Sequence, residues 1–243
     1  MTRILLVRGM LAGLIAGLLV FALARWVGEP QVERAIAFET SMDQARGDAP
    51  EPEIVSRKLQ SSLGLLTATV VDGVAVGGIF ALVFAFSLGR LPIADPRSLS
   101  VTLAGLGFVA LAVVPALKYP ANPPSVGNPD TIGMRTAAYF LLLAFSVVAM
   151  VLAARLHAYL QRRTSVWTAT LLSAIFFVIV IAASSHFLPN IDEVPAGFPA
   201  SLLWKFRVAA LEMQLLLWSV LGFGFGWLAD RALQARQPQH GSL

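Results

Sequence analysis

Two carboxylates stand in sequence that offers them no evident solvent. Asp72 lies in Thr67-Ala68-Thr69-Val70-Val71-Asp72-Gly73, and Glu212 in Ala209-Ala210-Leu211-Glu212-Met213-Gln214. Burying a lone carboxylate at bilayer depth costs about 2.5–3.5 kcal/mol on insertion scales, so such a group faces a helix bundle or an aqueous cavity, or is protonated. An acid there suits a cation or proton site; the alternative is a hydrogen bond between helices. Thr69 precedes Asp72 by three residues and is expected to share its helix face. Lys205, Glu212 and Ser219 recur every seven residues, two helical turns apart, and so fall on one stripe. Lys205 and Arg207 stand at the mouth of that helix, where long cationic stems reach the interface. Glu212 is open to two readings, a packing pair with a base from a neighbouring helix or a role in transport.

A third group lies at a run's end. His186 closes Ser184-Ser185-His186-Phe187, shortly before Asp192 and Glu193. Imidazole with carboxylates suits a divalent first-row cation in nitrogen and oxygen coordination, although no ligand-spacing motif accompanies it. His157, beside Arg155 and ahead of Arg162 and Arg163, reads as an interface residue. The chain has no cysteine, which excludes thiolate metal sites, iron–sulfur clusters, thiol nucleophiles and disulfides. There is no HExxH, P-loop, G-x-S-x-G or Rossmann fingerprint, and Gly222-Phe223-Gly224-Phe225-Gly226 lies inside an apolar run with the wrong spacing. No enzyme is expected.

Two connecting segments are richer than linkers need to be. Lys118-Tyr119-Pro120-Ala121-Asn122-Pro123-Pro124 is stiffened by its prolines and continues through Gly127-Asn128-Pro129-Asp130. Residues 188–198 form a second, acidic loop rich in Pro and Gly. Stiff irregular backbone beside a membrane can line a vestibule with carbonyls and amides, so the two loops are expected to form an entrance. Its polar groups would be Lys118, Tyr119, Asn122, Asn128, Asp130, Lys205 and Arg207, with Thr69 further in. The three bases would repel a cation unless Asp192 and Glu193 pair with them.

The elements that must position these groups follow from composition. Of 243 residues, 57% are hydrophobic and 13% charged, about half the charge of a soluble domain. Apolar runs cover residues 4–27, 63–89, 99–117, 136–156, 166–187 and 208–229, each long enough to cross about 30 Å of hydrocarbon as a helix. The third, interrupted near its end by Pro115, is the shortest. The expected fold is all-α, a polytopic membrane bundle of about six transmembrane helices forming a single integral membrane domain.

The first run resembles a signal peptide, with Arg3 before it and Ala22-Leu23-Ala24 near its end. Its length, Arg8, and the face formed by Gly9, Gly13 and Gly17 argue for an uncleaved helix. Residues 31–45 suit a short interfacial helix, which Gly47-Asp48-Ala49-Pro50-Glu51-Pro52 would break. Residues 230–243 read as a polar tail containing His240.

Six spans put both termini on one side, with Arg3, Arg8, Arg90, Arg97, Arg155, Arg162, Arg163, Arg231 and Arg236. The longer opposite loops hold as many bases and ten of the fourteen acids. Short basic loops favour the cytoplasm, so both termini are expected inside. The net charge of +4 reflects bases at the ends of apolar runs, not an aromatic-studded basic surface, and nucleic acid is not an expected partner.

The segments LKYPANPPSVGNPDTIGMRTAAYF at 117–140 and EVPAGFPASLLWKFRVAALEMQLLLWSVLGFGFGWLADR at 193–231, with the start RILLVRGMLAGLIAGLLVFALARWVGEPQVERAIAFE and GLLTATVVDGVAVGGIFALVFAFSLGRL at 64–91, resemble the CbtA family. KYPANPP and FPASLLWKFR are the distinctive stretches. The resemblance implies a subunit of a bacterial cobalt transporter in the inner membrane, a small single-span CbtB partner and cobalamin-linked regulation. Divalent cation uptake is then expected, cobalt foremost, with cobalt as cargo and no resident cofactor. The candidate ligands are Asp72, Glu212, His186, Asp192 and Glu193. The competing reading is a non-transporting scaffold or assembly subunit whose acids only pair helices.

Overall fold

The computed structural model describes residues 1–47, 55–91, 93 and 95–235. Six helices are long and apolar enough to cross a membrane: α1 (Thr2–Arg46), α2 (Arg57–Ser87), α3 (Pro96–Lys118), α4 (Pro129–Leu160), α5 (Val166–Phe187) and α6 (Ala200–Gln234). No strand occurs among the described residues. Every backbone polar group in hydrocarbon needs an internal partner, and helices supply one without help from neighbours. The six-helix expectation is met.

Several elements differ from their expected bounds. The first span does not end at residue 27: α1 passes through a π-turn at Ala24–Gly28 and continues to Arg46, 45 residues in all. At 1.5 Å per residue that is about 67 Å, twice the hydrocarbon thickness. The segment expected to be a separate interfacial helix is the continuation of this one, because Glu, Gln, Ala, Met and Arg all favour helix. It stops at Gly47, whose φ of 78° places it in the left-handed region that glycine adopts freely. The rest of the expected break, including Asp48 and Glu51, lies outside the described residues, as do Arg236 and His240.

Pro115 does not end α3. A π-turn at Val109–Val113 precedes it, and this widened turn absorbs the missing N–H and the ring's clash with the previous turn. Finally, α4 and α6 begin several residues before their apolar runs, so Arg135, Lys205 and Arg207 belong to helices.

Residue contacts gather into two compact units. One comprises Met1–Val27, Glu53–Gly105 and Glu212–Leu243. Within it α1 and α2 run antiparallel, with Gly9, Gly13 and Gly17 set against Gly77, Gly73 and the backbone at Thr69. Lipid gives no hydrophobic drive for helices to associate, so close backbone packing over small residues must supply it. Phe84 and Phe80 meet Phe225 edge to face, at centroid separations of 5.1 and 5.5 Å, and Phe80 meets Trp218 at 6.2 Å. Gly222 and Gly226 bring α6 against Ala104 and Ser100 of α3. At the end of this packing, Arg97 donates from Nε to Asp230 at 2.8 Å, Gln234 donates to the same carboxylate at 2.9 Å, and Arg8 donates to the carbonyl of Leu228. Asp95 caps α3 by accepting from the Ser98 N–H at 2.7 Å; bonding with Ser98 holds its carboxyl below the usual range.

The other unit comprises Gly28–Pro52 and Leu106–Leu211. Here the buried residues of α4 are small every few positions, Ala138, Ser146, Ala149 and Ala153, and those of α5 are Ala169 and Ser173. Val114, Leu142 and Leu188 form one core, with Phe177 and Ile181 against it. A second joins Ala35 and Phe38 of α1 to Val126, Phe198 and Leu202. Ser165 caps α5 by accepting from the Thr168 N–H at 3.1 Å.

The C-terminal ends of α2, α4 and α6 repeat one arrangement, an aromatic ring four residues before an arginine that lies over it. The pairs are Phe86 with Arg90 (4.7 Å), Tyr159 with Arg163 (4.6 Å) and Trp227 with Arg231 (3.9 Å). Aromatic rings with cationic stems are the usual anchors of a helix end at a membrane interface.

Candidate functional site

Asp72 lies fifteen residues from Arg57 and fifteen from Ser87, the two ends of α2. Its neighbours Gly73 and Gly77 are buried against α1, which turns Asp72 to the other side of the helix. There it opens on a groove of about 820 Å³ with Gln60, Gly64, Thr67 and Ala68. The carboxylate is exposed and makes no hydrogen bond or ion pair among the described residues. It is therefore free to accept a proton, a cation or a donor from another molecule.

Thr69 does not line this groove. Its hydroxyl donates to the Leu66 carbonyl at 3.2 Å and its backbone packs on Gly17. Thr67 is the hydroxyl beside Asp72. Gln60, which precedes the apolar run, reaches the same face, but its side-chain amide donates to the Val55 carbonyl at 2.8 Å. Glu212 is exposed on α6 and has no ion pair among the described residues. Lys205 is likewise exposed.

The two stiff loops come together, and most of their polar groups are spent on one another. Glu193 lies at the centre. Its carboxylate accepts from the Asn128 N–H at 2.7 Å and the Thr131 hydroxyl at 2.5 Å, and Arg135 approaches at 3.4 Å. The Thr131 hydroxyl first, then the Asn128 amide and the Arg135 charge, hold the Glu193 carboxyl below the usual glutamate range. Arg135 also donates to the Asn128 carbonyl at 3.3 Å, and Gly127, at φ 132°, leaves room for the guanidinium. Asn128 turns its own side chain to the Asp130 N–H at 2.9 Å and so caps the start of α4.

Around this centre Lys118 donates to the Asn190 side chain, Tyr119 donates to the Pro189 carbonyl at 2.7 Å, and Arg207 donates to the Asn122 side chain at 3.0 Å. Burial pushes the Tyr119 phenol above its usual range. The bases expected to obstruct a cation are thus partly answered: Lys118 and Arg207 have amide partners, and Asp192 acts electrostatically on Arg207. Glu193 pairs with Arg135, a residue not singled out from the sequence.

Asp130, Asp192 and His186 remain exposed. His186 packs edge-on against Phe187 at 5.5 Å. Among the described residues no three His, Asp or Glu side chains come together as a metal-binding group. His157 Nε2 lies 3.2 Å from the Thr170 hydroxyl, linking α4 to α5.

A family model described as "Probable cobalt transporter subunit (CbtA)" matches residues 2–230, nearly the whole chain. No curated protein and no solved structure matches it.

Proposed function

The chain belongs to the CbtA family of probable cobalt transporter subunits, and we propose that it carries a divalent transition-metal cation, cobalt, into the cell as the membrane subunit of a transporter. It would lie in the bacterial inner membrane with both termini in the cytoplasm. The observation that carries the proposal is Asp72: a carboxylate at the midpoint of a membrane-spanning helix, open to a groove and without a partner among the described residues. An intramembrane acid so placed is a candidate functional site by default, and carboxylate oxygen suits a borderline divalent ion. Glu212, twelve residues into α6, would be the second acid on this path. Asp130 and His186, exposed at the ends of helices, and Asp192, exposed in the loop between α5 and α6, would supply the first encounter. A small CbtB-like subunit is the proposed partner, and cobalamin-linked control the proposed setting.

The scaffold reading draws on a different observation, the Glu193 loop clasp and the glycine interlock, which are structural and use no cargo. Radiolabelled Co²⁺ accumulation separates the two. Cells expressing the wild type, Asp72→Asn or Glu212→Gln at matched membrane levels are compared with vector-only cells, with Ni²⁺ and Zn²⁺ as competitors. Carriage requires a wild-type gain over vector and its loss by about tenfold or more in Asp72→Asn, the scale at which even outer-shell changes act on metal sites. A wild-type gain that both carboxamide variants keep removes the acids from the path. No gain, with the small subunit co-expressed, ends the cobalt reading.

A further inference from the structure

The lipid-facing side of a membrane helix is ordinarily large and apolar, as α5 illustrates with exposed Leu171, Leu172, Ile175, Val178 and Ile179. One side of α2 departs from that pattern. Between the large apolar Leu59, Leu63 and Val71, the small or polar Gln60, Gly64, Thr67, Ala68, Asp72 and Ala75 follow one another at helical spacing along the groove, with an unpaired carboxylate about 22 Å from either helix end. Acyl chains cannot solvate it. The backbone is accessible over Gly64 and Ala68, so another helix can approach closely there.

The charges decide what kind of helix. A second copy docking through this same face would bring two carboxylates together, with only Gln60 and Thr67 beside them and no base. Among the described residues no base pairs with Asp72, and Arg8, well inside the first apolar run, is bonded to the Leu228 carbonyl. Another polypeptide can supply the complement that no described residue of this chain supplies. The family is described as a transporter subunit, which calls for one.

We infer that the face of α2 spanning residues 60–75 docks a transmembrane helix of a separate subunit, and that this helix carries a hydrogen-bonding side chain at the depth of Asp72. The site around Asp72 is then complete only in the assembled transporter, with one wall from each polypeptide. The inference rests on the membrane-subunit reading but not on cobalt as cargo.

Photocrosslinking of the full-length chain in its own cells tests this. Benzoylphenylalanine replaces Leu63 or Val71, rim positions of the groove that are each 61% exposed, or Val178 on α5, a control that is 62% exposed. The expected result is one adduct of defined mass from the two groove positions and none of that mass from Val178. Peptide mapping should place it in the middle of an apolar segment of another protein, within one helical turn of a polar side chain. Asp72→Leu should lower its yield about threefold or more, while Asp72→Asn, which still hydrogen-bonds, should keep it.

Adducts to lipid alone, to a second copy, to this chain's own helices, or equally from Val178 overturn the inference. So does a mapped segment without a polar side chain, or a yield indifferent to Asp72→Leu. The adduct forming without any cobalt accumulation would leave the docking face standing and remove the cargo; accumulation without the adduct would do the reverse.

Discussion

Gly13 and Gly73 face each other across α1 and α2 with no side chain between them. A methyl group added to Gly13 would run into the carbonyl oxygen of Gly73, and one added to Gly73 would run into that of Gly13. Each position is thus occupied by the other helix's backbone, which cannot move aside as a flexible side chain can.

Gly13→Ala should push the two helices apart and destabilise the protein by about 1–3 kcal/mol, the usual range for overpacking a tight contact. Gly13→Leu should abolish accumulation of folded protein. Gly133, in α4, has open space around it, and Gly133→Ala should be neutral or stabilising by about 0.4–1 kcal/mol. Thermal unfolding in detergent of the wild type, Gly13→Ala and Gly133→Ala, with the membrane level of Gly13→Leu, checks the contrast.

The Glu193 clasp should loosen in acid. Its carboxyl is held below its ordinary value of 4.5 when folded, so the clasp's contribution is fully present above that value. It is lost as pH falls through the lower, folded value. Hydrogen exchange at the amides around Val126 and Asn128 should therefore quicken below about pH 4.5 in the wild type, relative to the trend of distant amides. Glu193→Gln should show quicker exchange at neutral pH and no extra step in acid. A wild type with no such step would remove the carboxylate from the clasp.

Gly127→Ala should resemble Arg135→Gln. At φ 132° a side chain strains the backbone, and its Cβ would occupy the space of the Arg135 guanidinium. Displaced, that guanidinium no longer serves Glu193 or the Asn128 carbonyl. Limited proteolysis should nick the loop 119–128 in both variants at similar rates, faster than in the wild type. Combining the two changes should add little, because both act on one contact.

The link between Arg97 and Asp230 should be modest but measurable. The Asp230 side chain is 10% exposed and that of Arg97 55%, so water screens one partner. Arg97→Gln should cost about 1 kcal/mol, the upper end for a half-exposed pair. A double-mutant cycle with Asp230→Asn isolates the pairwise part.

The spans were legible because each is a long uninterrupted apolar run, a pattern with one physical solution in lipid. The glycine face was legible too, since a four-residue spacing keeps Gly9, Gly13 and Gly17 on one side of α1. The extension of α1 to Arg46 was not: residues 29–46 are polar, and hydropathy falls at residue 28 whether the helix ends or merely leaves the membrane. Asp72 stood out as an acid in an apolar run, yet which threonine accompanies it depended on which face α1 covers. Thr69 and Thr67 are two residues apart, about 200° around a helix, and only the packing of Gly17 on Thr69 decides between them. The Glu193 partners were hidden for another reason. They sit far away in sequence, at Asn128 and in the first turns of α4, and neither spacing nor composition reports contacts between segments so far apart.

The interlock of the first two helices also sets an order of events during synthesis. Gly73 follows Gly13 by sixty residues, so at about 5–20 residues per second the ribosome leaves α1 without its partner for several seconds. Through that interval the nascent helix shows the lipid or an insertase a groove of bare backbone. A substitution that fills the groove would leave insertion of α1 untouched and block the hairpin's closure. Its effect would fall on the yield of assembled protein, and quality-control proteases would read it before any assay of the mature transporter could.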